Sequence, residues 1–187
     1  MITGAGSAFS AGTDLAELAA IAAGQAPAGA DQAFPRLLDA LAEIDLPLVA
    51  AVNGPGVGLG ATMLSVFDVV HISDEVRLKA PFAAMGVPPE AASSYLFPLR
   101  MGWQPAARML LSAEWLTAEE AVSTGLATAS CPAGSVLAEA LGAARRIAEH
   151  DRSATRTIKA LMRAGQRDAT AAARRRENEA YAALFRR

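Results

Sequence analysis

Apolar residues follow two different spacings along this chain, and the switches between them mark out its elements. Phe34, Leu37, Leu38, Leu41 and Ile44 recur every three or four positions, which predicts an amphipathic helix with one face on a core. Leu48 to Val52 is instead a continuous apolar run between Pro47 and Asn53-Gly54, the pattern of a buried strand. Val69 to Ile72 repeats that pattern, and Val76 to Leu78 predicts a third strand. At the start, Met1-Ile2-Thr3-Gly4 reads as the last residues of a buried strand. A glycine and serine turn follows, then a helix opening near Asp14, a good N-cap residue. Gly24 to Gly29 reads as a loop or lid. A short helix is expected through Met63 and Leu64, and another from about Glu90, just after Pro88-Pro89. Thr117-Ala118-Glu119-Glu120 has the form of a capping box, opening a helix that ends near Gly125. Leu126 to Ser130 is the next strand. Beyond Ala133 the pattern is helical, with apolar positions Leu137, Leu141 and Ile147, then Ile158, Leu161 and Met162. Strand–helix alternation followed by a helical tail predicts an α/β domain with a helical extension.

Composition narrows the possible functions more than it changes this outline. The chain has 187 residues, 52% of them hydrophobic, enough for one substantial core. Aromatics make up only 5% and the net charge is −2, so neither base stacking nor attraction to a polyanion points to a nucleic-acid partner. Basic residues do gather late, at Arg163, Arg167, Arg174 to Arg176, Arg186 and Arg187. Interleaved with Glu177 and Glu179, they read as a solvated helix face. The uncharged run from Leu46 to Phe67 matches a bilayer in length. Its prolines and alternate glycines would leave backbone groups unsatisfied in lipid, so no membrane partner is expected. Cys131, alone, cannot form an internal disulfide and fits a reducing compartment. The N-terminus lacks a basic region followed by an apolar stretch. A soluble, cytoplasmic protein of bacterial type is the expectation.

Three places carry candidate chemistry. Asn53-Gly54-Pro55-Gly56-Val57-Gly58-Leu59-Gly60 lies between a buried strand and a helix. Its glycines let a ligand approach the backbone, and the first N–H groups of the helix lack intrahelical partners. An ordinary tight turn, an anion site and a dinucleotide loop all fit, the last because Gly56 to Ala61 matches GxGxxA with Asp74 at a suitable distance. Phe9-Ser10-Ala11-Gly12-Thr13-Asp14-Leu15 is a second turn ahead of a helix. Taken alone it is most simply a helix cap, but two such turns could aim two backbone N–H groups at one developing oxyanion. Glu90 follows Val87-Pro88-Pro89 among apolar neighbours. A carboxylate at a helix start ordinarily just complements the dipole; if buried, it could take up and return a proton near neutral pH. His71 lies in a predicted strand and His150 near a helix end. No hydrolase triad or metal-ligand cluster is evident.

Four segments together resemble the crotonase (enoyl-CoA hydratase/isomerase) superfamily: AFSAGTDL at Ala8 to Leu15, LPLVAAVNGPGVGLG at Leu46 to Gly60, FDVVHISD at Phe67 to Asp74, and LTAEEAVSTGLAT at Leu116 to Thr128. The resemblance implies a crotonase (ClpP-like) α/β fold of repeated ββα units. Residues 1–132 would form its core, without the opening strands and first helix. Residues 133–187 would form the C-terminal helical trimerisation region, without the last helix. It also implies an acyl-CoA thioester as substrate, a homotrimer or dimer of trimers, and no metal or redox cofactor, CoA arriving with the substrate. The family's oxyanion-hole donors fall on the N–H groups of Thr13 and Leu59, with Ala11, Gly12, Asp14, Gly58, Gly60 and Phe82 around the substrate. The two glutamates of hydratases correspond to Thr62 and Phe82, neither able to transfer a proton. PFAAMGVPPEAASSYLFP at Pro81 to Pro98 is similar to the peroxisomal-type enoyl-CoA delta isomerases. Their single catalytic glutamate corresponds to Glu90. An isomerase is therefore expected, with the stretch from Phe34 to Ile44 and the Gly24 to Gly29 loop as pocket walls. A catalytically weak acyl-CoA-binding homologue, a hydratase and a dinucleotide-binding enzyme are the alternatives.

Overall fold

The apolar run ahead of the glycine turn becomes the centre of a parallel sheet. In the computed structural model, which describes residues 1–14, 16, 20, 25 and 30–184, this sheet has the order β1-β2-β4-β7. Its strands are β1 (Ile2–Thr3), β2 (Val49–Val52), β4 (Val69–Ser73) and β7 (Ala129–Cys131). Every pairing is parallel, with Val49 opposite Val69 and His71 opposite Ala129. A second, three-stranded sheet joins β3 (Gly56–Val57), β5 (Arg77–Lys79) and β6 (Trp115–Thr117).

All four residues of β2 are buried, and they divide between two cores by strand alternation. Ala50 and Val52 face the main core, with Phe9, Leu64, Ile72, Leu78, Phe97 and Leu116 among its members. Val49 and Ala51 face Val136 and Ala140 of helix α7 (Val136–Ala148), which lies across β2 and β4. Small alanines on both sides of that contact let helix and sheet approach closely. Helix α1 (Ala30–Glu43) buries Leu38 and Leu41 as its periodicity requires, while Leu37 stays outside.

Short helices connect the strands: α2 (Leu59–Thr62), continued by a 3-10 turn over Met63–Val66, and α3 (Phe82–Met85). Then come α4 (Ser93–Met101), α5 (Trp103–Leu111) and α6 (Ala118–Ser123). The capping box of α6 is complete: Thr117 Oγ1 accepts from Glu120 N at 3.2 Å, and Glu120 Oε2 accepts from Thr117 N at 2.9 Å. Ala16 N donates to Asp14 Oδ1 at 2.8 Å, the capping bond expected there. The Gly24 to Gly29 loop, apart from Gln25, lies outside the described residues, as do Arg186 and Arg187.

Four expectations change. Within the Met1 to Gly4 segment Ile2 and Thr3 pair as a strand but are exposed, because among the described residues β1 has β2 as its one neighbour and lies at the sheet's edge. The helix expected from Glu90 begins at Ser93 instead, since Ala91 and Ala92 adopt left-handed φ angles of 60° and 59°. The strand placed at Leu126 to Ser130 shifts to Ala129–Cys131, its first residues turning inward as Ala127 N donates to Ala121 O. Helix α8 (Arg152–Ala164) forms as its period predicts, but with its faces reversed. Ile158, Leu161 and Met162 point outward, and Lys159, 5% exposed, points in. That lysine donates to Leu46 O at 2.7 Å and to Asp68 Oδ2 at 2.8 Å, while Asp68 Oδ2 also accepts from Leu48 N at 2.6 Å. Arg163 reaches Ile44 O and Arg156 pairs with Asp45. Specific backbone and carboxylate partners thus replace the apolar docking that the sequence pattern suggests.

Candidate active site

The two glycine turns come together. Ser10 bridges Gly56 in parallel fashion, with Val57 N donating to Ser10 O at 2.9 Å and Phe9 N donating to Pro55 O at 3.1 Å. Glycine is what lets them touch. A Cβ built on Gly12 (φ +83°) would sit 2.7 Å from Val57 O and 3.2 Å from Leu59 N, and one on Gly60 would sit 2.3 Å from Ser10 O. The backbone next to Thr13 therefore lies against the N–H of Leu59. Gly58 caps α2, donating its own N–H to Lys79 O at 2.9 Å, while Ala61 N and Thr62 N both return to Gly58 O at 3.0 Å. Leu59, at the first helical position, has no intrahelical acceptor for its N–H. Ala11, Thr13 and Asp14 are exposed, Gly12 and Gly58 half-buried, Leu59 and Gly60 buried. Six of the expected site residues are thus gathered at one place: Ala11, Gly12, Thr13, Gly58, Leu59 and Gly60.

Glu90 sits on a turn rather than a helix. Its carbonyl accepts from Ser93 N at 3.0 Å and from Ser93 Oγ at 2.6 Å, closing the loop over Ala91 and Ala92. Leu96 N and Tyr95 N then return to Ala92 O and start α4. Two consecutive left-handed alanines are uncommon and cost backbone energy. Ala91 belongs to the same core cluster as Leu59 and Phe82, and α4 packs on the 3-10 turn that continues α2. Glu90 itself is half-buried. Burial first, and the charge of Glu177 second, push its carboxyl up to about 7. A carboxyl poised there can both accept and release a proton at neutral pH.

The sequence pattern places Glu177 on a solvated helix face, and the structure corrects this. From helix α9 (Arg167–Leu184) it turns inward, 6% exposed. It accepts from Ala92 N at 2.7 Å, Ser94 N at 2.9 Å and Ser94 Oγ at 2.6 Å. Its carboxyl is raised by burial, partly offset by these bonds and by Arg174. No local motif marks the residue; a glutamate in a charged helix looks the same whichever way it points.

The hydratase positions hold no acid. Thr62 is fully buried and donates its hydroxyl to Gly58 O at 3.3 Å, and Phe82 lies in the main core. His71 is buried in β4. Among the described residues no group of three or more His, Cys, Asp or Glu side chains could hold a metal ion. The Gly56 turn leads into a helix of four residues, short for a dinucleotide βαβ unit.

Comparison with known proteins agrees with this fold. The family model described as "Enoyl-CoA hydratase/isomerase" matches residues 1–187. Enoyl-CoA delta isomerase 2 from Rattus norvegicus is 36% identical over 170 residues, covering 90% of this chain and 44% of the rat protein. The chain therefore spans less than half of that relative's length. The solved enoyl-CoA hydratase/isomerase from Pseudoalteromonas atlantica superposes with a TM-score of 0.86 at 35% identity, over 96% of this chain and 70% of that one. An enoyl-CoA hydratase from Mycobacterium marinum gives 0.80 at 44% identity, over 86% and 74%. With the family's model matching from end to end and its fold reproduced, the chain belongs to the enoyl-CoA hydratase/isomerase (crotonase) family.

Proposed function

We propose that this chain is an enoyl-CoA delta isomerase that converts 3-enoyl-CoA to 2-trans-enoyl-CoA by a one-glutamate proton shift. The observation that carries the reading is a half-buried Glu90 with its carboxyl raised to about 7, while the positions Thr62 and Phe82 hold no second acid. The thioester oxygen sits between the N–H groups of Thr13 and Leu59, with Ala11, Gly12, Asp14, Gly58, Gly60 and Phe82 shaping the site. Ionised Glu90 takes a proton from the α carbon, and the electrons move into the carbonyl as a dienolate. The two N–H groups hold the charge that develops there. Protonated Glu90 then delivers the proton to the γ carbon, and the double bond settles between α and β carbons. No atom is added, so a single base suffices, and the reaction calls on no metal or redox cofactor. Hydration would need a second group to activate water. Given both substrates, the protein is expected to turn over 3-enoyl-CoA and to leave 2-trans-enoyl-CoA unhydrated. Hydration as the faster reaction would replace this reading with the hydratase one.

The working form is proposed to be a homotrimer or a dimer of trimers. The outward apolar stripe of α8, Ile158, Leu161 and Met162, supports contact with further copies, since its polar side is already committed inward. Among the described residues no helix is long and apolar enough to cross a membrane.

A further inference from the structure

Glu177 has no part in the proton shift, yet it is built into the turn that carries Glu90. A buried carboxylate with three donors, two of them backbone N–H groups, is fixed in position by its partners and fixes them in return. The two backbone donors are the N–H of Ala92, itself the second of the left-handed pair Ala91–Ala92, and that of Ser94, two residues further on. Without an acceptor, the buried N–H of Ala92 would be left unpaired and its left-handed conformation uncompensated. The clamp comes from a helix 85 residues away in sequence, so its presence is not a by-product of local folding.

We propose that Glu177 is the positioning residue for Glu90: from α9 it holds the Ala91–Ala92 turn and sets the charge environment in which the proton carrier works. The proposal rests on the isomerase reading and adds a tether to it. The surroundings limit what else acts here. On α9 the inward-turned ionisable groups are Glu177, Arg174 and, one turn on, the half-buried Tyr181; Arg174 is itself paired with Asp39 of α1 at 2.6 Å. The 3-10 turn Met63–Val66 and helix α3 carry no ionisable side chain. Helix α4 itself carries Tyr95 and, exposed in its last turn, Arg100. Among the described residues, Glu177 is the one charge that raises Glu90 in addition to burial.

Two substitutions separate its two roles. Glu177→Gln removes the charge at nearly constant shape, and Glu177→Asp keeps the charge but withdraws it from the turn. The readouts are kcat and KM for 3-enoyl-CoA across pH 5 to 9, thermal midpoint, and direct carboxyl titration of Glu90 by carbon NMR. In Glu177→Gln the acid limb of kcat/KM and the Glu90 titration should move down together, by on the order of half to one pH unit. In Glu177→Asp the titration should stay near the parent's, while kcat falls roughly tenfold or more with KM little changed. Ser94→Ala, which removes only one donor, should lower kcat in the same sense with the fold intact, and it stands in if both Glu177 variants fail to fold. A Glu90 titration and kcat that match the parent's in all folded variants would overturn the proposal. Glu90→Gln, run alongside, keeps the two ideas apart. If it is inactive while the Glu177 and Ser94 variants behave as the parent, only the tether is refuted. If it retains turnover, the isomerase reading fails and takes the tether with it.

Discussion

At the scale of single residues, Glu90 is held away from its ordinary ionisation. Its carboxyl is raised from 4.5 to about 7 by burial and by Glu177, so the folded chain keeps a proton that the unfolded chain has already lost. The contribution to stability is therefore full below about pH 4.5, declines as pH rises to about 7, and is flat beyond. Glu90→Gln removes the ionisation altogether. The variant is expected to be more stable than the parent at pH 8, by about 1–3 kcal/mol, with the advantage vanishing near pH 4. Urea melts at the two pH values measure this, and a gap that does not change with pH would contradict it. Sequence made Glu90 legible through its apolar neighbours and through the missing acids at Thr62 and Phe82. It gave no access to Glu177. Side-chain direction in a charged helix depends on which neighbour is packed there, and α9 meets α4 only in the folded chain.

Among elements, those announced by local pattern formed nearly where expected. β2, β4 and the capped helix α6 follow from a buried run, a second such run and a reciprocal pair of side-chain bonds. What spacing could not supply was the meeting of the two glycine turns, a contact between Gly12 and Leu59 some 47 positions apart, or the reversal of α8, where Lys159 finds partners from distant loops. That meeting is also where the fold is least tolerant. Gly60→Ala would place its methyl 2.3 Å from Ser10 O, forcing backbone apart rather than a flexible side chain. Its expected cost is about 1–3 kcal/mol. Turnover should fall further than the lost stability explains, because the Thr13 and Leu59 backbones separate. Thermal melts with parallel assays check this; unchanged stability would show that the two turns are not packed as described.

For the molecule as a whole, a parallel sheet covered by α7 leads into the glycine turn that follows β2, and α9 braces the turn that carries Glu90. The reversed α8 leaves an apolar stripe outside, which a single copy does not use. Leu161→Glu is expected to lower the mass measured by light scattering toward that of one chain, with the fold retained. An unchanged mass would place the contact between copies elsewhere.

Whether one carboxyl carries the proton is decided by the turnover of 3-enoyl-CoA by Glu90→Gln. The substitution changes little in volume and leaves both glycine turns alone, so acyl-CoA binding should persist. Turnover should fall by about 10²–10⁴-fold, the usual contribution of a general acid–base group. A Glu90→Gln protein that isomerises 3-enoyl-CoA at the parent's rate would show that the proton is carried by another group.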